Sequence, residues 1–265
     1  MVRQVTAFSN STVKLLRSLR DKKARREHGL FLAEGLRILT EARDSKCLPE
    51  IIAFSPEGAR HPLAAEIIAA TEAAGGDAIE TSADILSKMS GKDNPQMVLG
   101  AYRQPDTAIA RIDRTKSPLW IVAQALRDPG NIGTILRTGD AVGAGGLILV
   151  DDSADPFSVE AVRASMGAIF TQQVATARWP EFLSWLRSGE GQLVGTSLKA
   201  TNDYLEAEYR QPCFVLIGNE QQGLPADYEA ECDLLVKIPM AGRADSLNAA
   251  IAAAVMAFAV KASWR

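Results

Sequence analysis

The chain has 265 residues, 47% of them hydrophobic and 23% charged, with three cysteines, two histidines and a formal net charge of -3. That balance fits a soluble globular protein and excludes a disordered chain or a uniformly basic nucleic-acid binder. Cys47, Cys213 and Cys232 are widely spaced and no CxxC or Cys/His cluster occurs, so neither a disulfide framework nor a zinc site is expected.

The opening "MVRQVTAFSN" has no apolar run behind its arginine, so a secretion signal is not expected. The longest uncharged apolar run, 249–260, falls well short of the roughly 20 residues that span a bilayer. A cytoplasmic protein with no membrane partner is therefore expected. Charge is uneven along the chain. Residues 1–105 hold 15 Lys+Arg against 13 Asp+Glu, and residues 106–265 hold 14 against 19. Between Lys14 and Arg26 of "KLLRSLRDKKARRE", Lys14, Arg17, Arg20, Lys22, Lys23, Arg25 and Arg26 are opposed only by Asp21. These seven are candidate contacts to an anionic partner such as a nucleic-acid backbone, and a solvated helix face is the plainer alternative.

Asn10-Ser11-Thr12 is a plausible helix start, and Val13, Leu15, Leu16 and Leu19 recur at helical spacing, which predicts one helix over about 11–26. Strand "LFLAEG", a helix near 35–45, strand "EIIAFS", a helix near 62–74, strand "DAIETS", a short helix near 82–89 and strand "MVLGAY" follow. This alternation predicts a small α/β domain over 1–104. Polar, proline-containing residues 105–117 read as a linker to a second α/β domain, 118–265. There, strands "LWIVAQAL", "LILVDD", "QQVATA", "GQLVGTS", "CFVLIGNE" and "DLLVKIP" alternate with helices, including one near 158–166. Their near-continuous apolar runs point to a parallel sheet covered on both faces.

Three stretches of this second domain each place Gly-rich backbone and polar side chains at a strand end. In "DPGNIGTILRTGDAVG", Asn131 is suited to cap the helix that Gly143 ends, and Arg137 lies mid-helix, where a surface salt bridge is the simple reading. Neither GxGxxG nor GxxxxGK[ST] is present, which leaves a dinucleotide or P-loop site without support. In "VLIGNEQQGLP", Glu220 stands at a strand's carboxyl end, either in a ligand site or in a polar turn. In "IPMAGRADSLNAA", Asp245 or Ser246 can cap the last helix, leaving Leu247 and Asn248 in its first turn beside free backbone N–H groups.

Together, and in this order, the three stretches resemble the motifs of the SpoU/TrmH branch of the SPOUT RNA 2'-O-ribose methyltransferases. The resemblance spans about 118–262, and "DPFSVEAVRASMGAIF" fits it with Arg163, Ser165 and Gly167. The N-terminal part, with Glu34-Gly35 and Arg37 after its strand, more loosely resembles the substrate-binding domain of that family, a small α/β fold like that of ribosomal RNA-binding proteins. The resemblance implies a parallel-sheet domain with a deep C-terminal trefoil knot, S-adenosylmethionine as cofactor, and a homodimer with the active site near its interface. It implies cofactor contacts at Thr196, Gly218, Ile238 and Leu247, and catalytic roles for Arg137, Asn131, Glu220, Ser246 and Asn248. Ala249-Ala250-Ile251 departs from the usual branched residue after the asparagine. Ribosomal RNA of the 23S type is the favoured substrate because of the two-domain layout. A tRNA methyltransferase and a non-catalytic RNA-binding or ribosome-assembly protein are the alternatives.

Overall fold

The computed structural model describes residues 2–219 and 221–265, and two compact units account for them. The first contains β1 (Arg3–Val5), α1 (Ser11–Ser18), α2 (Lys22–His28), β2 (Leu30–Glu34), α3 (Leu36–Asp44), β3 (Ile51–Phe54), α4 (Pro56–Arg60), α5 (Pro62–Ala73), β4 (Asp77–Thr81), α6 (Ala83–Ser90) and β5 (Val98–Arg103). Its sheet has the order β1-β4-β3-β5-β2, with β5 antiparallel to both neighbours. Val13, Leu16 and Leu19 of the first helical segment pack with Ile85, Leu86 and Met89 of α6 over the sheet residues Leu32, Ala53, Ile79 and Leu99.

The single helix expected over 11–26 is two helices. Leu19 closes α1, and Asp21 starts α2 by accepting hydrogen bonds from the N–H groups of Lys23 (2.7 Å) and Ala24 (3.3 Å). An aspartate inside a basic run is thus a helix cap, a position that residue type strongly favours.

The second unit starts at Asp106, and its first long elements are β6 (Leu119–Gln124), α7 (Pro129–Val142) and β7 (Gly146–Val150). The helix expected near 158–166 then forms as α8 (Val159–Ser165), but residues 157–170 belong to the first unit, where Phe157 and Phe170 lie 5.2 and 5.8 Å from the Phe31 ring. The second unit resumes with β8 (Gln173–Ala177), α9 (Trp179–Arg187), β9 (Gln192–Thr196), β10 (Asn202–Asp203), β11 (Cys213–Ile217), α10 (Ala226–Ala230), β12 (Leu234–Lys237) and α11 (Ala249–Ala262). Its sheet, β10-β12-β9-β11-β6-β7-β8, is parallel throughout. Alternate strand residues Trp120, Val122, Ile148, Val150, Phe214 and Leu216 pack with Trp179, Phe182 and Leu186 of α9. The intervening residues face the opposite side, where α7 and α11 lie against β6 and β11. Burial on both faces is why these strands read as unbroken apolar runs.

Residues 105–117, expected as a linker, are anchored at a few points. Ile109 and Ile112 are buried in the second unit's core, and Arg114 donates to the carbonyls of Trp185, Leu186 and Glu190.

Strand order gives the second sheet a switch point. From β6 the chain winds outward through β7 and β8; it then crosses to β9, returns to β11 beside β6, and moves out again to β12. Loops leaving the carboxyl ends of β6 and β11 diverge, which opens the crevice where parallel α/β sheets hold ligands.

Candidate functional site

Two adjoining cavities lie at the carboxyl ends of this sheet, the second of them in that crevice. The first, about 300 Å³, has walls from the ends of β9, β11 and β12 and from the start of α11. Thr196, Gly218, Ile238 and Leu247, the four expected cofactor contacts, all line it, together with Ser246. Its floor depends on a closed loop. Asn219 and Gly223 exchange backbone hydrogen bonds of 3.2 and 2.9 Å, and Gly223 has φ +68°. A Cβ on Gly218 would lie 2.4 Å from the Gly223 carbonyl carbon, so only glycine fits there. Asn219 Nδ2 donates to the Ala125 carbonyl (2.9 Å), which ties the loop to the end of β6.

This cavity suits S-adenosylmethionine. Leu198, Leu224, Leu247 and Ala252 offer an apolar slot for a flat purine, and Glu229 and Asp245 bring negative charge to a ligand with a sulfonium and an ammonium. Its volume is at the low end of the ~300–1,000 Å³ common for cofactor sites.

The second cavity, about 770 Å³, lies beyond the same loop; Asn219, Gln221, Gln222, Gly223 and Leu224 line both. At its base, Asn248 Nδ2 donates to Asn131 Oδ1 (3.0 Å), and Asn131 is only 8% exposed. Both caps differ from expectation. Asp128 starts α7 by accepting from Gly130 N (2.7 Å), so Asn131 sits inside the first turn with its side chain turned to the cavity. Asn248, rather than Asp245 or Ser246, caps α11, its Oδ1 accepting from Ala250 N (2.9 Å) and Ile251 N (3.3 Å). One amide therefore both starts α11 and joins it to α7.

Gln124 and Asp151 extend the polar network. Gln124 Nε2 donates to Asp151 Oδ2 (3.4 Å), which also accepts from Tyr228 OH (2.8 Å), while Asp151 Oδ1 accepts from Trp179 N (3.0 Å). Burial first, then the bond to Asp151, holds the Tyr228 phenol protonated above its ordinary range. Sequence reasoning passed over Gln124, Arg127 and Asp151; their signal was their place at or just after the carboxyl ends of β6 and β7.

The remaining expected residues are dispersed. Arg137 is exposed on α7 and lines neither cavity; six residues from Asn131, it faces another side of the helix. Glu220 lies outside the described residues. In the first unit, Lys14, Arg17, Arg20, Lys22, Lys23 and Arg26 are not buried, and Lys14, Arg17 and Arg20 border a shallow open groove. Arg25 is 3% exposed, and its Nη1 donates to the carbonyls of Leu19 (2.9 Å) and Arg20 (2.8 Å), closing α1. Its place is structural. Glu34 pairs with Lys92 and accepts from Gln96 N (3.0 Å), and Gly35 has φ +102°. No group of His, Cys, Asp or Glu among the described residues is arranged to hold a metal, and no described helix is long and apolar enough to cross a membrane.

Residues 118–258 match the SpoU rRNA Methylase family, and residues 10–100 match the MRM3-like substrate binding domain. A 23S rRNA (guanosine(2553)-2'-O)-methyltransferase of Bacillus subtilis is 28% identical over 97% of this chain and 98% of its own. A 23S rRNA (uridine(2479)-2'-O)-methyltransferase of Streptomyces viridochromogenes is 34% identical over 68% of this chain and 65% of its own. The crystal structure of an AdoMet-bound rRNA methyltransferase from Sinorhizobium meliloti superposes with a TM-score of 0.91 at 39% identity, covering 98% of each chain. On its parallel sheet, its paired cavities and these matches, the chain belongs to the SpoU rRNA methylase family.

Proposed function

We propose that this protein transfers the methyl group of S-adenosylmethionine to a ribose 2'-hydroxyl of RNA, with 23S-type ribosomal RNA as substrate. The observation that carries this reading is the shared wall: a cavity suited to the cofactor and a larger polar cavity meet along Asn219 and residues 221–224. A methyl donor and an acceptor hydroxyl could thus be held side by side. Residues 118–265 would form the catalytic domain, with the chain after β12 completing a trefoil knot, and residues 1–104 would bind RNA. The B. subtilis and S. viridochromogenes relatives are named for a guanosine and a uridine. That difference supports a target base chosen by residues particular to each enzyme.

When bound, S-adenosylmethionine supplies a methyl group already activated on a sulfonium. The chain's own task is alignment, which in the best intramolecular cases contributes about 7–11 kcal/mol. Thr196, Gly218, Ile238, Ser246 and Leu247 hold the donor side. Asn131 and Asn248 orient the acceptor ribose, with Glu220 assigned beside them by the family resemblance alone. Arg137, permanently protonated, stabilises the developing alkoxide and holds a neighbouring phosphate. The proton leaves late, to water or to that phosphate.

Arg137 reaches a site through a homodimer built on the catalytic domain. On α11, Ile251 (50% exposed) and Phe258 (53% exposed) are seven residues apart on one face, with half-buried Ala254 and Val255 between. A second copy covering that face brings the neighbouring helix α7, and with it Arg137, to the subunit boundary. The exposed basic residues of α1 and α2 supply salt-sensitive RNA affinity. The setting is cytoplasmic.

Calorimetric titration with S-adenosylmethionine, followed by transfer of labelled methyl to total RNA from a strain lacking the gene, tests the reading. The expected result is one bound cofactor per chain and label in a 2'-O-methylnucleoside of 23S rRNA. Label confined to tRNA would reassign the substrate. Binding without transfer to any RNA would leave an RNA-binding assembly protein, and no binding would overturn the whole reading.

A further inference from the structure

The second cavity is far larger than a ribose requires. At about 770 Å³ it exceeds twice the volume of its neighbour, and its lining is unusually rich in amides: Gln124, Asn131, Asn219, Gln221, Gln222 and Asn248. No aromatic ring is among the described residues that line it. A planar ligand there would be read by hydrogen bonds rather than by stacking. Sequence-specific RNA recognition works on bases splayed out of the helix and read along their edges.

Three of these amides are already committed, and Gln221 and Gln222 are exposed. Asn248 and Asn131 bond each other, and Asn219 donates to Ala125 O and accepts from Gln221 N (2.9 Å). Gln124 is different. Asp151 is fixed from two further sides, by Trp179 N–H and by Tyr228, whose ring stacks on Trp179 at 3.9 Å. A carboxylate only accepts, so the Gln124 amide must turn its NH₂ toward Asp151. That leaves Oε1 as the free end, without a hydrogen-bond partner among the described residues, on a side chain 8% exposed at the cavity wall. Three residues on, Arg127 is exposed at the same cavity and has no ion pair among the described residues. A guanidinium so placed suits a phosphate oxygen.

We infer that this cavity holds the flipped-out base of the target nucleotide, with Gln124 Oε1 accepting from the base edge and Arg127 holding the adjoining phosphate. The inference rests on the methyltransferase reading and adds to it the residue that selects the base. Asp151 is a positioning residue: it fixes which end of the Gln124 amide faces the nucleotide.

The test is binding of the four nucleoside 5'-monophosphates, by saturation-transfer NMR, to the full chain saturated with S-adenosylhomocysteine so that the cofactor cavity is filled. One base should bind more tightly than the weakest by about tenfold, the discrimination worth one hydrogen bond. Gln124→Leu should remove that ranking, and Asp151→Asn, whose amide can present either end to Gln124, should flatten it. Arg127→Ala should weaken all four alike. S-adenosylhomocysteine affinity serves as the check that each variant is folded. Equal binding of the four by the wild type, or a ranking that survives in Gln124→Leu, would overturn the inference. Methyl transfer is measured separately: its absence would count against the proposed activity and leave the mononucleotide ranking to decide the cavity.

Discussion

The basic run of α1 and α2 and the first turn of α11 are both conspicuous in the sequence, and folding treats them in opposite ways. Seven like charges, adjacent in sequence, take different paths. Arg25 turns inward to close α1, the Arg20 guanidinium lies against Gly91, and Lys14 and Arg17 border an open groove. Two asparagines 117 positions apart become one hydrogen-bonded pair. A charge run describes composition, and its side chains are sorted by a helix break at Asp21. The asparagines are brought together by a parallel sheet, which sets α7 and α11 side by side on one face.

The largest expected effect comes from Asn248→Asp. Aspartate keeps the cap of α11 but loses the N–H that Asn131 accepts, so the change separates cap from site. Methyl transfer should fall about 100-fold or more, as for loss of one preorganised donor, with the denaturant midpoint close to wild type. Equal loss of both would make the pair a structural feature and erase the contrast with α1–α2. Arg137→Ala should also cost about 100-fold, while Arg137→Lys keeps measurable turnover at saturating RNA. A pH optimum that follows a titrating Lys in that variant would favour a general base over a charge stabiliser.

Next in size are changes that divide the basic run. Arg25→Ala should lower stability by about 1.5–3 kcal/mol, because it strands carbonyls at the end of α1, and should leave the salt dependence of RNA binding unchanged. Charge reversal at Lys14 and Arg17 should do the converse, reducing the salt slope by about one for each phosphate no longer neutralised. If Arg25→Ala weakened RNA binding as much as the reversals, the run would act as one surface. The smallest effect concerns thiols. Burial pushes Cys213 and Cys232 up to about 12. The folded chain therefore holds these protons more tightly than the unfolded one, so their contribution to stability is complete below about pH 8.5 and is lost as pH rises toward 12. Alkylation of both at pH 8 should be slow unless the protein unfolds.

Much of the second unit was legible because a parallel sheet buried on both faces writes unbroken apolar strands, and a Gly143 with φ +75° closes α7 where expected. The four expected cofactor contacts were legible only through motif resemblance, and all four residues line one cavity. Less legible were features set by tertiary neighbours. β1 and β10 are short edge strands of three and two residues, too brief for a periodic signal. The 157–170 segment joins the first unit through Phe157 and Phe170 against Phe31, a packing that no local pattern announces. Capping was misjudged at both asparagines for one reason: Asp128 and Asn248 are both good caps, and which of several neighbouring polar residues starts a helix depends on where the chain leaves the sheet.

The most direct test of the account is ribose-methylation mapping of 23S rRNA from a strain lacking the gene, complemented with wild type or with Asn248→Asp. The account predicts one 2'-O-methylated nucleotide that disappears with the gene, returns with the wild type and stays absent with Asn248→Asp. An unchanged methylation profile in the deletion strain, or full restoration by Asn248→Asp, would contradict it.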